Sequence, residues 1–203
     1  MAQVPEQTSD LSAEDLAELT ERATQKVNQF NNHLSLIAKP ARTASAEEKK
    51  NIDAYKSRLI KQCLSLFIGK GYDYEDMYGN KKEAVKMEVS SYNKRTKKVT
   101  VVKRPTVRQY LHNMRRNRQN YDSISITASD CYVQPNSVRE VEDGLYECTL
   151  SYTQWYRGES ELRTYSDKTD KVIKVYFERT EIDGKTRWLI WLGDVSVAHT
   201  EGV

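Results

Sequence analysis

The chain has 203 residues, 32 Lys and Arg against 29 Asp and Glu, a net charge of +3, 38% hydrophobic and 30% charged content. That length suits one domain with a real core, and the apolar content is too high for an intrinsically disordered chain. No apolar run approaches the ~18 residues that a membrane-spanning helix needs.

Residues 1–11 open with the polar "MAQVPEQTSD" and read as a disordered tail. The start looks like that of a mature exported chain whose leader has been removed; a native cytoplasmic start is the alternative. Ser12 with Asp15 three residues on marks a helix N-terminus. Leu16, Leu19, Ala23, Val27, Phe30, Leu34 and Ile37 then recur at spacings of three and four, one apolar stripe ending before Pro40. Ser45 and Glu48 form a capping box for a second helix, whose stripe is Ile52, Tyr55, Leu59, Cys63 and Leu66 and whose end is closed by Gly69 and Gly71. The short link predicts an antiparallel helical hairpin over 12–70. "GYDYEDMYGN" (71–80) is a loop whose acids do not follow the spacing of a calcium loop.

Two short strands follow at 84–91 and 97–104, with Val85, Met87 and Val89 on one face, Val99 and Val101 on another, and a turn at "YNKRTK". Pro105 opens a short helix over 105–117 with Val107, Tyr110, Leu111 and Met114 on its buried side. From Tyr121 to His199 the pattern is strand and turn. Ile124, Ile126, Ala128 and Tyr132 share one face of 121–133; Tyr146, Cys148, Leu150, Tyr152 and Tyr156 share one face of 144–157. Asp143-Gly144 and Asp183-Gly184 are hairpin turns. The first sets Val138 opposite Cys148 and Cys131 near Trp155, and Pro135 demands a bulge or an edge. Strand 171–181 turns Ile173, Val175 and Phe177 inward. Strand 186–199 is apolar on both faces from Trp188 to Leu192, so both faces need cover. A second subunit, giving a homodimer through 186–199, or the curl of the sheet supplies the outer cover.

The residues between Lys94 and Arg118 include ten Lys and Arg and no acid, leaving the rest of the chain 22 basic residues against 29 acidic. The charges fall at three places: Lys94, Arg95, Lys97 and Lys98 in the hairpin turn; Lys103 and Arg104 at a strand end; Arg108, Arg115, Arg116 and Arg118 on or just after the short helix. Cations at a helix C-terminus are favourable in themselves, and lysines at a hairpin guard a sheet edge. A solvated edge is the plain reading. A patch for an acidic partner or an anionic surface is the functional one, and nucleic-acid binding a further one, weakened by the lack of interleaved aromatics. The functional readings need the three places on one face; the strand–helix connection brings two together.

Cys63, Cys131 and Cys148 show no zinc spacing and read as buried, inert thiols. No cofactor motif, catalytic triad order or phosphate loop occurs. The thirteen tyrosines are sheet and rim residues first and a stacking surface second.

The order of two long helices, short hairpin, short helix and about four long antiparallel strands makes the chain α+β. With "RPTVRQYLHNM", "DGLYECTLSYTQWY" and "YSDKTDKVIKVYFERTEIDGKTRWLIWLGDVSV", it resembles the nuclear-transport-factor-2-like superfamily, which includes SnoaL-like and cystatin-like cone folds, and within it uncharacterised exported bacterial members. The likeness covers about residues 45–200. It implies a single domain over 12–203, a curved sheet holding the helices in its hollow, and a pocket at the open end. It does not imply a reaction, because the superfamily holds enzymes, carriers and adaptors alike.

If the even face of 121–133 lines such a cone, Asp130 points inward with Gln154 beside it, and desolvation raises its pKa as a general acid or base requires. SnoaL-like enzymes use such a residue with a His or Tyr partner; His112, Tyr152 and Tyr110 are the candidates here. The plainer alternative is that Asp130 caps loose backbone near Pro135. His33 and His199 read as solvated. The function expected first is a non-enzymatic ligand- or protein-binding domain of the bacterial envelope or exterior, using the cone mouth, a rim of Tyr72, Tyr74 and Tyr78, or the last strand. A SnoaL-like enzyme built on Asp130 and a basic module built on 94–118 are the alternatives.

Overall fold

The computed structural model describes residues 11–41, 44–93, 95–116 and 121–203. Residues 1–10 of the expected tail, Lys94, Arg118 and the side chain of Val101 lie outside what it describes. The elements in order are α1 (Ala13–Ala38), α2 (Ala46–Leu64), a 3-10 turn (Ile68–Gly71), β1 (Tyr74–Glu75), β2 (Lys81–Lys82), β3 (Val89–Asn93), β4 (Lys98–Lys103), α3 (Val107–Arg116), β5 (Ser123–Val133), β6 (Arg139–Glu142), β7 (Leu145–Ser160), β8 (Arg163–Ile182) and β9 (Lys185–Gly202). The protein is α+β. Its main sheet is antiparallel, in the order β5-β7-β8-β9, with β6 also on β7. No helix among the described residues is long and apolar enough to cross a membrane.

Both long helices start where their side chains can satisfy the first orphan N–H groups. Ser12 with Asp15 and Ser45 with Glu48 each form a reciprocal capping box. Leu11, assigned to the tail by its sequence, packs against the core just before the first cap. The α1 stripe is buried from Leu19 to Ile37, with Leu16 half-buried. The α2 stripe is rotated from the expected one: Tyr55 is exposed, and Lys56, Leu59, Ile60, Cys63 and Leu64 are buried. Lys56 lies inward because its ammonium donates to the Lys39 carbonyl at the end of α1. Its alkyl stem can then cover apolar surface.

Helix α1 contacts both edge strands, β5 and β9, on the inner face of the sheet. That face carries Cys148 and Leu150 from β7, Ile173, Val175 and Phe177 from β8, and Trp188, Ile190 and Leu192 from β9, all buried. Phe30 and Phe67 meet edge to face at 5.1 Å, as do Phe177 and Trp188 at 5.6 Å. Burying each such side chain stabilises the fold by about 1.5–3 kcal/mol.

Both Asp-Gly pairs turn hairpins: Asp183 and Gly184 are both at positive φ, the geometry of a tight two-residue turn, whereas at Asp143-Gly144 only Gly144 is (φ +73°). Arg139 lies opposite Glu147, the register expected, with a bulge between Glu140 and Glu142 just before the turn. Further out the expected register fails. Trp155 pairs with Thr127, not Cys131, because β5 bulges between Ser129 and Tyr132 and a turn at 134–138 separates it from β6. The bulge also reverses the faces, so Cys131 and Val133 pack on the core and Tyr132 is exposed. The three thiols are free, with Cys63 and Cys148 buried and Cys131 half-buried.

Strands β7 and β8 run further than their apolar patterns, meeting at Ser160–Arg163 around a turn whose Leu162 is 96% exposed. The first short strand begins later than expected. Residues 84–88 instead form a connector between β9 and α3: Val195 N–H donates to the Lys86 carbonyl (3.0 Å), Met87 N–H to Pro105 (2.8 Å) and Val107 N–H to Val85 (2.8 Å). The loop expected at 71–80 forms, with Lys81 and Lys82, a small hairpin, β1–β2, ordered by Asp76, which accepts from the N–H groups of Tyr78 and Asn80.

This hairpin also answers the question of cover. Trp191, on the outer face of β9, lies in a hollow of about 360 Å³ with Leu145 and Glu178 of the sheet and Ile68, Tyr74 and Met77 of the hairpin region. Part of the outer cover expected from a second subunit therefore comes from the same chain.

Candidate functional site

The expected acid–base set does not assemble. Asp130 occupies the β5 bulge at φ +53°, exposed, with its carboxylate accepting from the Ser129 hydroxyl at 2.8 Å. It does not point inward; the bulge turns it to solvent. Gln154 does point inward, but its amide donates to Asn31 of α1 at 2.5 Å. His112 is exposed on α3. Tyr152 is 2% exposed, and its hydroxyl has no partner among the described residues; Tyr110 is half-buried. Burial raises the pKa of both phenols. His33 is half-buried rather than solvated, its Nδ1 without a partner among the described residues, and burial lowers its pKa. His199 is exposed, as expected.

The apolar pattern misses the polar part of the inner face. Lys171 stands opposite Tyr152 across β7–β8, and Asp167 opposite Tyr156. Lys171 is 6% exposed; burial pulls its pKa down to about 8, with Asp167 acting the other way. Burial raises the pKa of Asp167, and Tyr165 donates to its carboxylate at 2.6 Å. The alternation that predicts Ile173, Val175 and Phe177, continued backward, reaches Lys171, Thr169 and Asp167. These polar residues hide the strand from a reading based on apolar side chains.

The basic run gives a more open arrangement. A groove of about 1030 Å³ lies between the 71–73 segment, the end of β4 and the exposed face of α3. Arg108, His112 and Arg116 fall at i, i+4 and i+8 along α3, so they form one row with about 6 Å of rise per step. Lys103 and Arg104 enter from the strand end, and Asp73 is the only carboxylate among the lining residues.

The local sequence explains how α3 takes this pose. Thr106 and Gln109 cap its start reciprocally (3.3 and 3.1 Å), so Thr106 rather than Pro105 opens the helix. Val107 and Leu111 are fully buried and fix its inner side. The connector at 84–88 holds that start against β9. Gly71 leaves the core at φ +81°, with its α-carbon so near Leu64 that a β-carbon would lie 2.5 Å from Cδ2. That tight exit brings Tyr72 under the Arg108 guanidinium, 4.8 Å from the ring centre.

The cations have different fates. Arg115 binds Asp53 (3.0 Å) and Ser57 (3.3 Å) and ties α3 to α2. Arg104 lies 3.5 Å from Glu88, itself held by the Val197 N–H. Lys103, Arg108 and Arg116 make no ion pair among the described residues. Arg95, Lys97 and Lys98 stay exposed near the β3–β4 turn and do not line the groove. The structure thus joins two of the three basic places. The tyrosine rim does not form: Tyr72 joins the groove, Tyr74 the outer hollow, and Tyr78 is exposed at the hairpin.

Such a groove can hold an anion through charge-assisted hydrogen bonds, with arginine offering a planar fork to carboxylate or phosphate. Among the described residues, no group of three or more His, Cys, Asp or Glu side chains is arranged to hold a metal ion. Compared with protein-family models, with curated proteins and with solved structures, the chain matches none.

Proposed function

We propose that this protein is a non-enzymatic binding domain whose working surface is the groove at Lys103, Arg104, Arg108 and Arg116, and that its partner is anionic. One observation carries the reading: three of these four cations lack an ion pair among the described residues, although the chain has nearly as many acids as bases. Elsewhere in the basic run, Arg115 is tied to a carboxylate within the fold.

The partner that fits is an acidic segment of a protein. The row on α3 spaces its positions by about 6 Å, close to the ~6.8 Å between alternate residues of an extended chain. The groove's one tyrosine is already covered by Arg108, which leaves little for the base stacking of single-stranded nucleic acid. The resemblance to exported members of the cone-fold superfamily supports a setting in the envelope or outside the cell. A cone-like curvature of the sheet belongs to the same proposal.

Fluorescence anisotropy with a labelled poly-glutamate peptide at low ionic strength tests it. Binding should weaken as salt is added and fall in Arg108→Ala and Arg116→Ala, but not in Asp130→Ala. Absence of binding at high micromolar protein, or equal binding by the arginine variants, defeats the reading. Tighter binding of an oligonucleotide than of the peptide would replace it with the nucleic-acid alternative.

A further inference from the structure

The sheet has two edges, and they are closed differently. At β5 the Ser35 hydroxyl of α1 accepts from the Ile126 N–H (2.8 Å) and donates to its carbonyl (3.1 Å). The bulge at Asp130 interrupts the rest of that edge. At β9 the stretch 192–195 is closed by main chain, and the Val197 N–H by the Glu88 carboxylate (2.7 Å). Leu192 N–H donates to Leu66 (2.8 Å), Val195 N–H to Lys86 (3.0 Å), and Glu88 N–H to Val195 (2.8 Å).

The remaining stretch of β9 is different. Leu192 directs its N–H away from β8, and no register shift falls between Lys185 and Leu192. The main-chain groups of Thr186, Trp188 and Ile190 therefore point the same way. Among the described residues the only bond there is from Arg22 of α1, whose Nη1 donates to the Trp188 carbonyl at 3.2 Å. A groove of about 690 Å³ runs beside this edge, walled by α1.

We propose that this edge pairs, antiparallel and about a two-fold axis at Trp188, with the same edge of a second copy of the chain. The open window is bounded by the Asp183-Gly184 turn and by Leu66 at Leu192. Its centre is Trp188, so a two-fold there keeps each copy's bounding elements clear of the other strand. Thr186 then pairs with Ile190 of the partner subunit, with about six main-chain hydrogen bonds across the seam. On the outer face, Arg187 lies against Leu189 of the partner subunit in the close, non-hydrogen-bonded position. Leu189 is 40% exposed in the single chain.

Charge favours a second copy over the acidic partner of the basic groove. The α1 wall offers Glu18 and Glu21 with Arg22 and Lys26. This balanced set neither attracts a strongly charged segment nor repels its own copy. Arg22 keeps its ion pair with Glu18 (2.8 Å) when a strand displaces it from the Trp188 carbonyl.

The test is a cysteine pairing specific to the register, made in full-length chain carrying Cys131→Ser. The double variant R187C/L189C should give a covalent dimer on mild oxidation. R187C and L189C alone should stay monomeric, because like positions lie about 7–8 Å apart on the diagonal. In parallel, sedimentation of the wild type at tens of micromolar should show a dimer. L189K, which sets two cations opposite each other, should sediment as a folded monomer. A wild-type monomer at that concentration overturns the proposal, as does a dimeric L189K. Cross-linking of L189C alone as readily as the double variant overturns the Trp188-centred register.

Discussion

The segment from Gly69 to Met77 lies between two surfaces of opposite sign. On one side, Gly71, Tyr72 and Asp73 complete the basic groove; on the other, Tyr74, Glu75, Asp76 and Met77 complete the outer hollow with Glu142 and Glu178. The signs mirror each other but the uses do not. In the hollow, Asp76 accepts from the N–H groups of Tyr78 (3.0 Å) and Asn80 (2.8 Å) and pairs with Lys82 (3.2 Å), and Glu142 accepts from the Met77 N–H (3.0 Å). These carboxylates hold the hairpin together. In the groove, Lys103, Arg108 and Arg116 make no ion pair among the described residues, and Arg108 rests on the Tyr72 ring. Charge engaged within the fold supports structure, and charge left free on a concave surface is available to a partner.

The sharpest way to break this contrast is to remove the free cations. Arg108→Ala with Arg116→Ala should lower affinity for an acidic peptide about a hundredfold, since each charge-assisted hydrogen bond to the peptide is worth about tenfold. The thermal midpoint should fall by no more than about 3 °C, since neither arginine has an ion pair within the fold and only the Arg108 contact with the Tyr72 ring, about 0.5–1 kcal/mol, is lost. A large fall in midpoint would mean that these arginines support the fold after all.

Gly71→Ala strikes the segment that separates the two surfaces. The positive φ and the closeness of Leu64 make any side chain there strained. Denaturant unfolding should show a destabilisation of about 2–4 kcal/mol.

A smaller effect is expected at Asp76, whose carboxylate is 3% exposed. Burial alone would raise its pKa, but the bonds from Asn80, Lys82 and Tyr78 outweigh it and bring the value down to about 2, from the ordinary 3.8. A lowered folded value means that the contribution to stability is present above about pH 4 and is lost as pH falls through about 2. Hydrogen exchange at the Tyr78 and Asn80 amides should therefore quicken between pH 4 and 2 relative to the remainder of the sheet. In Asp76→Asn it should already be fast at pH 7.

Glu75→Gln should do least. Glu75 is exposed on the hollow's rim, so both the midpoint and peptide binding should match the wild type. A clear gain in peptide affinity would show that the two surfaces act on one ligand.

Much of the backbone is legible because it is coded over three or four residues. Ser12 with Asp15 and Ser45 with Glu48 cap as they read, and both Asp-Gly turns form. The turn at Glu161-Leu162 is not legible, because it has no Gly or Asn and the strands leading to it are polar. Apolar spacing puts Tyr55 on the buried stripe because it cannot foresee a lysine reaching the end of a neighbouring helix. At the site, the arginines of α3 are legible as a row. Tyr72 and Asp73 are not, because nothing local says that their loop folds back beside that helix.

The sequence by itself determined where the two long helices start, where the two Asp-Gly turns fall, and which residues between Trp188 and Leu192 are apolar. Those features follow from backbone sterics and from side chains meeting their near neighbours. Only the tertiary structure decided that Asp130 faces solvent, that Arg115 is ion-paired while Arg108 and Arg116 are not, and that residues 84–88 join β9 to α3. A bulge reverses every side chain beyond it. The connector is made of main-chain hydrogen bonds, which carry no record of side-chain identity.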